Sequence, residues 1–158
     1  YSTCVGEGPF TAEYFGEKAE ALRKAGGEYG AATGRPRRVG PFDVPASRYG
    51  IRMQGADEIA LTKLDVLSFM DEIEVCTAYE LDGREISEFP FSADLDRCKP
   101  VFTKLKGWNR DISACRKEED LPKEALDYIR FLEKATGSYI KYVSVGASRE
   151  QYVVLERK

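Results

Sequence analysis

Ile73, Val75, Thr77, Tyr79 and Leu81 alternate with Glu74, Cys76, Ala78 and Glu80. A period of two belongs to a strand, because successive side chains point to opposite faces. Asp82-Gly83 follows at once and supplies a tight turn, so Glu85 to Phe89 reads as the returning arm of a hairpin. Further on the period changes. Leu121-Pro122 opens a helix from Lys123 to Thr136, with Ala125, Ile129 and Leu132 along one face and Gly137 ending it. Tyr139 to Val143 reads as a strand, Ser144-Val145-Gly146 as a turn, and Gln151 to Leu155 as a closing strand. Helices and strands thus share one chain, which predicts an α/β fold, or α+β if the hairpins dominate.

The first half fits the same scheme. Tyr1 to Val5 reads as strand or loop, and Gly6-Glu7-Gly8-Pro9 as a turn. A helix is predicted from Thr11 to about Ala25. Thr11 caps it, Glu13 suits its positive end, Phe15, Ala19 and Leu22 share a face, and Gly26-Gly27 stops it. Asp43 caps a second helix from Val44 to about Gln54, with Pro45 tolerated in the first turn. Glu58 to Asp65 reads as a short buried strand, Ile59-Ala60-Leu61, running into polar Thr62-Lys63 and Asp65. Val101 to Leu105 is a short strand, Trp108 is read as a packing residue, and Asn109 to Asp120 is irregular. No repeat, low-complexity tract or linker interrupts the 158 residues, so a single domain is expected.

Composition removes several functions. The net charge is -3 with 32% charged residues, which argues against a general nucleic-acid or membrane-surface protein. No apolar run reaches the ~18 residues of a membrane span, and no export signal is recognisable. The four cysteines, Cys4, Cys76, Cys98 and Cys115, have irregular spacing and read as reduced thiols in the cytosol. There is no histidine, so a self-contained Ser-His or zinc-His site is impossible here.

Three stretches carry possible chemistry. Gly26-Gly27-Glu28-Tyr29-Gly30-Ala31-Ala32-Thr33-Gly34-Arg35-Pro36-Arg37-Arg38 has no apolar period. It combines backbone freedom with a hydroxyl and three cations, which suits a carboxylate or phosphate; a solvated basic loop is the plainer alternative. RNA phosphates are a poorer match, since no aromatics interleave with the arginines. Thr62-Lys63-Leu64-Asp65 stands where a strand runs out, the position at which open α/β sheets collect ligands; a strand end with an i, i+2 ion pair to solvent is the plainer alternative. A carboxylate there can accept the paired donors of guanine, which adenine lacks, and the Lys63 stem can lie across a base. Ser144-Val145-Gly146 is a second strand end of the same kind, with a hydroxyl and free N–H groups expected in the turn; taken alone it reads as an ordinary turn.

Together with Val5-Gly6-Glu7-Gly8-Pro9-Phe10 and Val75-Cys76-Thr77-Ala78-Tyr79-Glu80-Leu81-Asp82-Gly83, these stretches resemble adenylosuccinate synthetase in order and spacing over nearly the whole chain. The resemblance implies a GTP-dependent ligase of AMP biosynthesis that joins IMP to L-aspartate with Mg2+. It implies that residues 1–158 are one C-terminal region of a longer, cytoplasmic, homodimeric enzyme, part of a P-loop-NTPase-like mixed sheet. It further implies an aspartate-binding loop of Ala31, Ala32, Thr33, Gly34, Arg35, Pro36 and Arg37. Arg35 and Val5 would meet IMP. Arg37, Lys63, Leu64, Asp65, Ser144, Val145 and Gly146 would meet GTP. Ala32 stands where the family usually has threonine, Gly40-Pro41-Phe42-Asp43 where it has Gly-Trp-Leu-Asp, and Ala147-Ser148 where it has Pro-Asp. The family's catalytic aspartate and histidine, its glycine-rich phosphate loop and most of its magnesium contacts belong to its N-terminal part. No catalytic residue and no metal ligand is therefore expected in this chain, which would be inactive alone. A non-catalytic module that binds a nucleotide or a partner is the alternative.

Overall fold

The computed structural model describes residues 1–157. They form a mixed α/β structure of three sheets, divided into two compact units, Tyr1–Tyr49 with Glu74–Lys104 and Gly50–Ile73 with Leu105–Lys158.

In the first unit, β1 (Ser2–Cys4) pairs antiparallel with β2 (Arg38–Gly40), Thr3 opposite Val39. Helix α1 (Gly16–Gly26) buries Ala19 and Leu22 and ends at Gly27, whose φ is +61°. It starts at Gly16 rather than at Thr11. The Tyr14 N–H is spent on the Val39 carbonyl at 2.8 Å, and the Glu13 carboxylate is held by Arg38 Nε at 2.7 Å. Both contacts pull residues 13–14 toward β2 and away from a helical turn. Thr11 caps nothing; its Oγ1 is buried without a hydrogen-bond partner. Phe15, expected on the apolar face, is 78% exposed.

The second sheet of this unit is built on β5 (Glu72–Leu81). Strand β3 (Phe42–Asp43) joins it in parallel, β6 (Arg84–Ile86) antiparallel, and β7 (Lys99–Lys106) also pairs with it. Asp82 and Gly83 have φ of +51° and +77°, the signature of a two-residue hairpin turn. The return arm is shorter than expected because Phe89 leaves the ladder. Its ring stacks on Tyr49 at 5.1 Å and meets the edge of Tyr79 at 6.3 Å. Ala12, Cys76, Tyr79 and Leu95 form the buried cluster beneath. Helix α2 (Val44–Gln54) begins as expected, with Asp43 Oδ1 accepting the Ala46 N–H at 3.1 Å; the Tyr79 hydroxyl donates to Asp43 Oδ2 at 2.6 Å.

The second unit carries the three-stranded sheet β4 (Glu58–Leu61), β8 (Tyr139–Ser144), β9 (Tyr152–Val154), in that order, with β4 parallel and β9 antiparallel to β8. Helix α3 (Lys123–Thr136) buries Ala125, Tyr128, Ile129 and Leu132, while β8 and β9 bury Ile140, Val143 and Val153. Burying a side chain of that size contributes about 1.5–3 kcal/mol, so this apolar set is the main source of the unit's stability. Strand β4 is less buried than its sequence predicts. It is a sheet edge, and only Leu61 is fully covered. Trp108 packs, its indole N–H on Ser68 Oγ at 3.0 Å and its ring near Tyr128. Among the described residues no helix is long and apolar enough to cross a membrane.

Candidate functional site

Each unit presents one of the surfaces expected from the sequence. In the first unit the glycine-arginine segment is a loop with a closed neck. The Arg37 N–H donates to the Glu28 carbonyl at 2.9 Å, and Tyr29 bridges Pro36. Above the neck, the Gly30 N–H donates to the Arg35 carbonyl and the Gly34 N–H to the Gly30 carbonyl, both at 2.8 Å. The Arg35 N–H donates to Thr33 Oγ1 at 3.3 Å, which leaves the hydroxyl proton of Thr33 to donate outward. Ala31, Ala32, Thr33, Gly34, Arg35 and Pro36 are all exposed.

The three arginines have different surroundings. Arg35 is 80% exposed and lies only within 3.9 Å of Glu7. Arg37 is about one-third exposed; its NH1 donates to Glu28 Oε2 at 3.1 Å and its buried Nε has no hydrogen-bond partner. Arg38 is consumed by the fold, through Glu13 and the Gly8 carbonyl at 2.7 Å each. Glu28 is 1% exposed and also accepts from the Tyr1 hydroxyl and from Thr3 Oγ1. A cleft of about 260 Å3 brings Val5, Thr33, Arg35 and Arg37 together. Its volume suits a small ligand, and its two guanidinium groups suit an anionic one.

In the second unit the two strand-end stretches, far apart in sequence, prove to be neighbours. Parallel pairing sets Leu61 opposite Val143, so both strands end at the same edge. The Lys63 N–H then donates to Ser144 Oγ at 2.7 Å. Lys63 adopts the left-handed conformation, φ +57°, and a 3-10 turn runs from Leu64 to Leu67. Leu64 and Val145 are buried anchors, 1% and 0% exposed, so their side chains hold the turns in place.

Asp65 is half-buried, and its Oδ1 is fully buried with no hydrogen-bond partner. Burial raises its pKa above the usual carboxylate value; its own N–H and Lys63 oppose the rise, and Asp111 adds to it. A buried carboxylate oxygen without a partner at a strand end is unusual, since buried acceptors are normally satisfied. The turn after β8 differs from expectation in one respect. The Val145 N–H is not free but donates to the Gln151 carbonyl at 2.9 Å.

Two participants were not assigned roles from the sequence. Glu28 is a lone carboxylate set between glycines and arginines, and that charge pattern was the available signal. Gln151 was read only as the start of a strand, and its contacts with the turn leave no local signal. A larger open groove of about 860 Å3, lined by Arg116, Glu118, Arg149 and Tyr152 among others, contains none of the expected residues. Among the described residues no three His, Cys, Asp or Glu side chains gather as a metal-ligand set.

Comparison with known proteins gives a consistent result. The family model for adenylosuccinate synthetase matches residues 1–153. The adenylosuccinate synthetase of Synechococcus sp. (strain CC9902) is 53% identical over 157 residues, and that of Aquifex aeolicus (strain VF5) is 49% identical over the same length. Each alignment covers 99% of this chain, and the chain spans 36% of either relative. The solved structure of fully ligated adenylosuccinate synthetase from Plasmodium falciparum superposes with a TM-score of 0.93 at 37% identity, covering 99% of this chain and 38% of that one.

Proposed function

The chain belongs to the adenylosuccinate synthetase family, and from that premise we propose that it supplies the amino-acid and guanine recognition of a GTP-dependent IMP–aspartate ligase. In this reading GTP phosphorylates the 6-oxygen of IMP. The aspartate amine attacks C6, the C–N bond forms, and the C6–O bond breaks as inorganic phosphate leaves. The exposed tip Ala31 to Arg37 receives L-aspartate. Thr33 donates to its carboxylate, Arg35 bridges aspartate and the IMP ribose, and Arg37 serves aspartate and GTP. Val5 lies against IMP. Asp65 accepts the two guanine N–H groups, the Lys63 stem covers the base, and Leu64 with Ser144, Val145 and Gly146 shapes the pocket.

Mg2+ neutralises phosphate charge when bound, and this chain gathers no ligand set for it among the described residues. The chain also contains no histidine and no G-x-x-x-x-G-K-S/T segment. We place general acid-base chemistry and the phosphate cradle, as the resemblance implies, in the part of such enzymes that this chain does not span. We assign the complete enzyme a P-loop-NTPase-like mixed sheet, a homodimeric state and a cytoplasmic location.

The observation that carries the reading is the half-buried Asp65 carboxylate, whose buried Oδ1 has no hydrogen-bond partner, beside the Lys63–Ser144 link. In an enzyme of the relatives' length carrying this chain, Asp65→Asn should raise the KM for GTP roughly 10- to 100-fold. One charge-assisted bond is worth about that much, and an amide cannot accept both guanine protons. Base choice should relax in parallel. Unchanged GTP preference would remove Asp65 from the guanine site.

A further inference from the structure

We infer that Gln151 is a positioning residue for the base-recognising turn, and that it acts through the bare backbone of Gly146. The inference rests on the assignment of Ser144, Val145 and Gly146 to the guanine site. Gln151 closes the turn with both its main chain and its side chain. Its carbonyl accepts the Val145 N–H and its N–H donates to the Ser148 carbonyl, each at 2.9 Å. Its Oε1 accepts the Ser148 N–H at 2.9 Å, and its Nε2 donates to the Ser113 carbonyl at 3.1 Å. One amide therefore uses its acceptor on the turn and its donor on a second loop. That loop is itself fixed, because Asp111 accepts the Ser113 N–H at 2.8 Å and the Ser113 hydroxyl at 3.1 Å.

Gly146 shows why the amide can occupy this place. A Cβ added there would stand 2.3 Å from Gln151 Cδ and Oε1 and 2.5 Å from Nε2. Gly146 is not among the glycines with positive φ, so an alanine could adopt its backbone. What excludes a side chain is the amide packed against it. The residue that could carry a Cβ is thus kept bare by a residue five positions later, and the turn takes its shape from their contact. An expelled amide would lose its bonds to Ser148 and Ser113 together, freeing the turn that the Lys63–Ser144 bond places beside Asp65.

Gly146→Ala and Gln151→Ala should therefore be the same lesion. In the complete enzyme each should raise the KM for GTP roughly three- to ten-fold, the worth of one neutral hydrogen bond. In Gln151→Ala the aspartate KM and kcat should stay within about two-fold of the parent. The double variant should be no worse than either single one, since the added Cβ has nothing left to displace. Without ligand, amide exchange at Ser148 should accelerate in both single variants. Additive losses, or unchanged Ser148 exchange in folded Gln151→Ala, would overturn the inference. If Gln151→Ala fails to fold, Gly146→Ala gives the same two readouts with Gln151 retained. Asp65→Asn separates the role of Gln151 from the guanine site on which it depends. A normal GTP KM in Gln151→Ala alongside relaxed base choice in Asp65→Asn defeats only the role of Gln151. Unaltered base choice in Asp65→Asn defeats the guanine site itself.

Discussion

At the scale of the residue, Arg35, Arg37 and Arg38 show how little residue type says about role. Arg38 is committed to Glu13 and a turn carbonyl, Arg37 is half-committed to Glu28, and Arg35 remains open to solvent. Only the last can be removed with little effect on folding, because exposed ion pairs contribute about 0–1 kcal/mol. Arg35→Leu should therefore leave thermal unfolding nearly unchanged and lower kcat/KM for aspartate by at least about ten-fold, the worth of one charge-assisted bond. An unaltered kcat/KM for aspartate would refute the assignment. Asp43 makes a prediction about pH. Burial raises its pKa, against the opposing hydrogen bonds of Tyr79 and Ala46. As pH falls, the folded chain takes up this proton before the unfolded one does. Asp43 thus adds stability below its unfolded pKa of about 3.9, and that increment disappears as pH rises through the folded value. Urea titrations at several pH values should show the parent gaining on Asp43→Asn across that window as pH falls. A constant difference would mean that Asp43 titrates normally.

At the scale of the element, what was legible depended on whether the causes were local. Helix α3 was read to its terminal residues, because its apolar period and its glycine stop both lie within the segment. The Asp43 cap and the Asp82-Gly83 turn were legible for the same reason. Helix α1 was misplaced because β2 captures Tyr14 and Glu13 from more than twenty residues away in sequence. Strands β2 and β3 went unseen, since two or three residues carry no period. The candidate stretches were visible as composition, and the family resemblance implied that both strand ends meet one nucleotide, but no local signal pairs them. Nothing in Thr62-Lys63 announces Ser144 until β4 and β8 align in parallel. The junction after β4 also stores strain, since Lys63 holds a left-handed conformation that costs a non-glycine residue about 1–2 kcal/mol. Lys63→Gly should stabilise the chain by about 1 kcal/mol in urea unfolding while raising the KM for GTP, because the covering stem is lost. Lower stability would show that the left-handed conformation is not strained, and an unchanged KM would show that the stem does not cover the base.

At the scale of the molecule, the proposed function divides recognition between the two units. The first presents cations suited to a diacid, and the second presents a carboxylate suited to a purine. Neither supplies a histidine. The chain by itself should form no adenylosuccinate from IMP, GTP, Mg2+ and aspartate in a spectrophotometric assay, and measurable turnover would overturn this division of labour. The neck of the first loop has a consequence for how such a protein can change. Glu28 and Arg37 fasten both ends of the segment to the body, so the stretch between them behaves as an exchangeable cassette. Substitutions in that exposed stretch should therefore cost the fold little while the anchoring pair is kept.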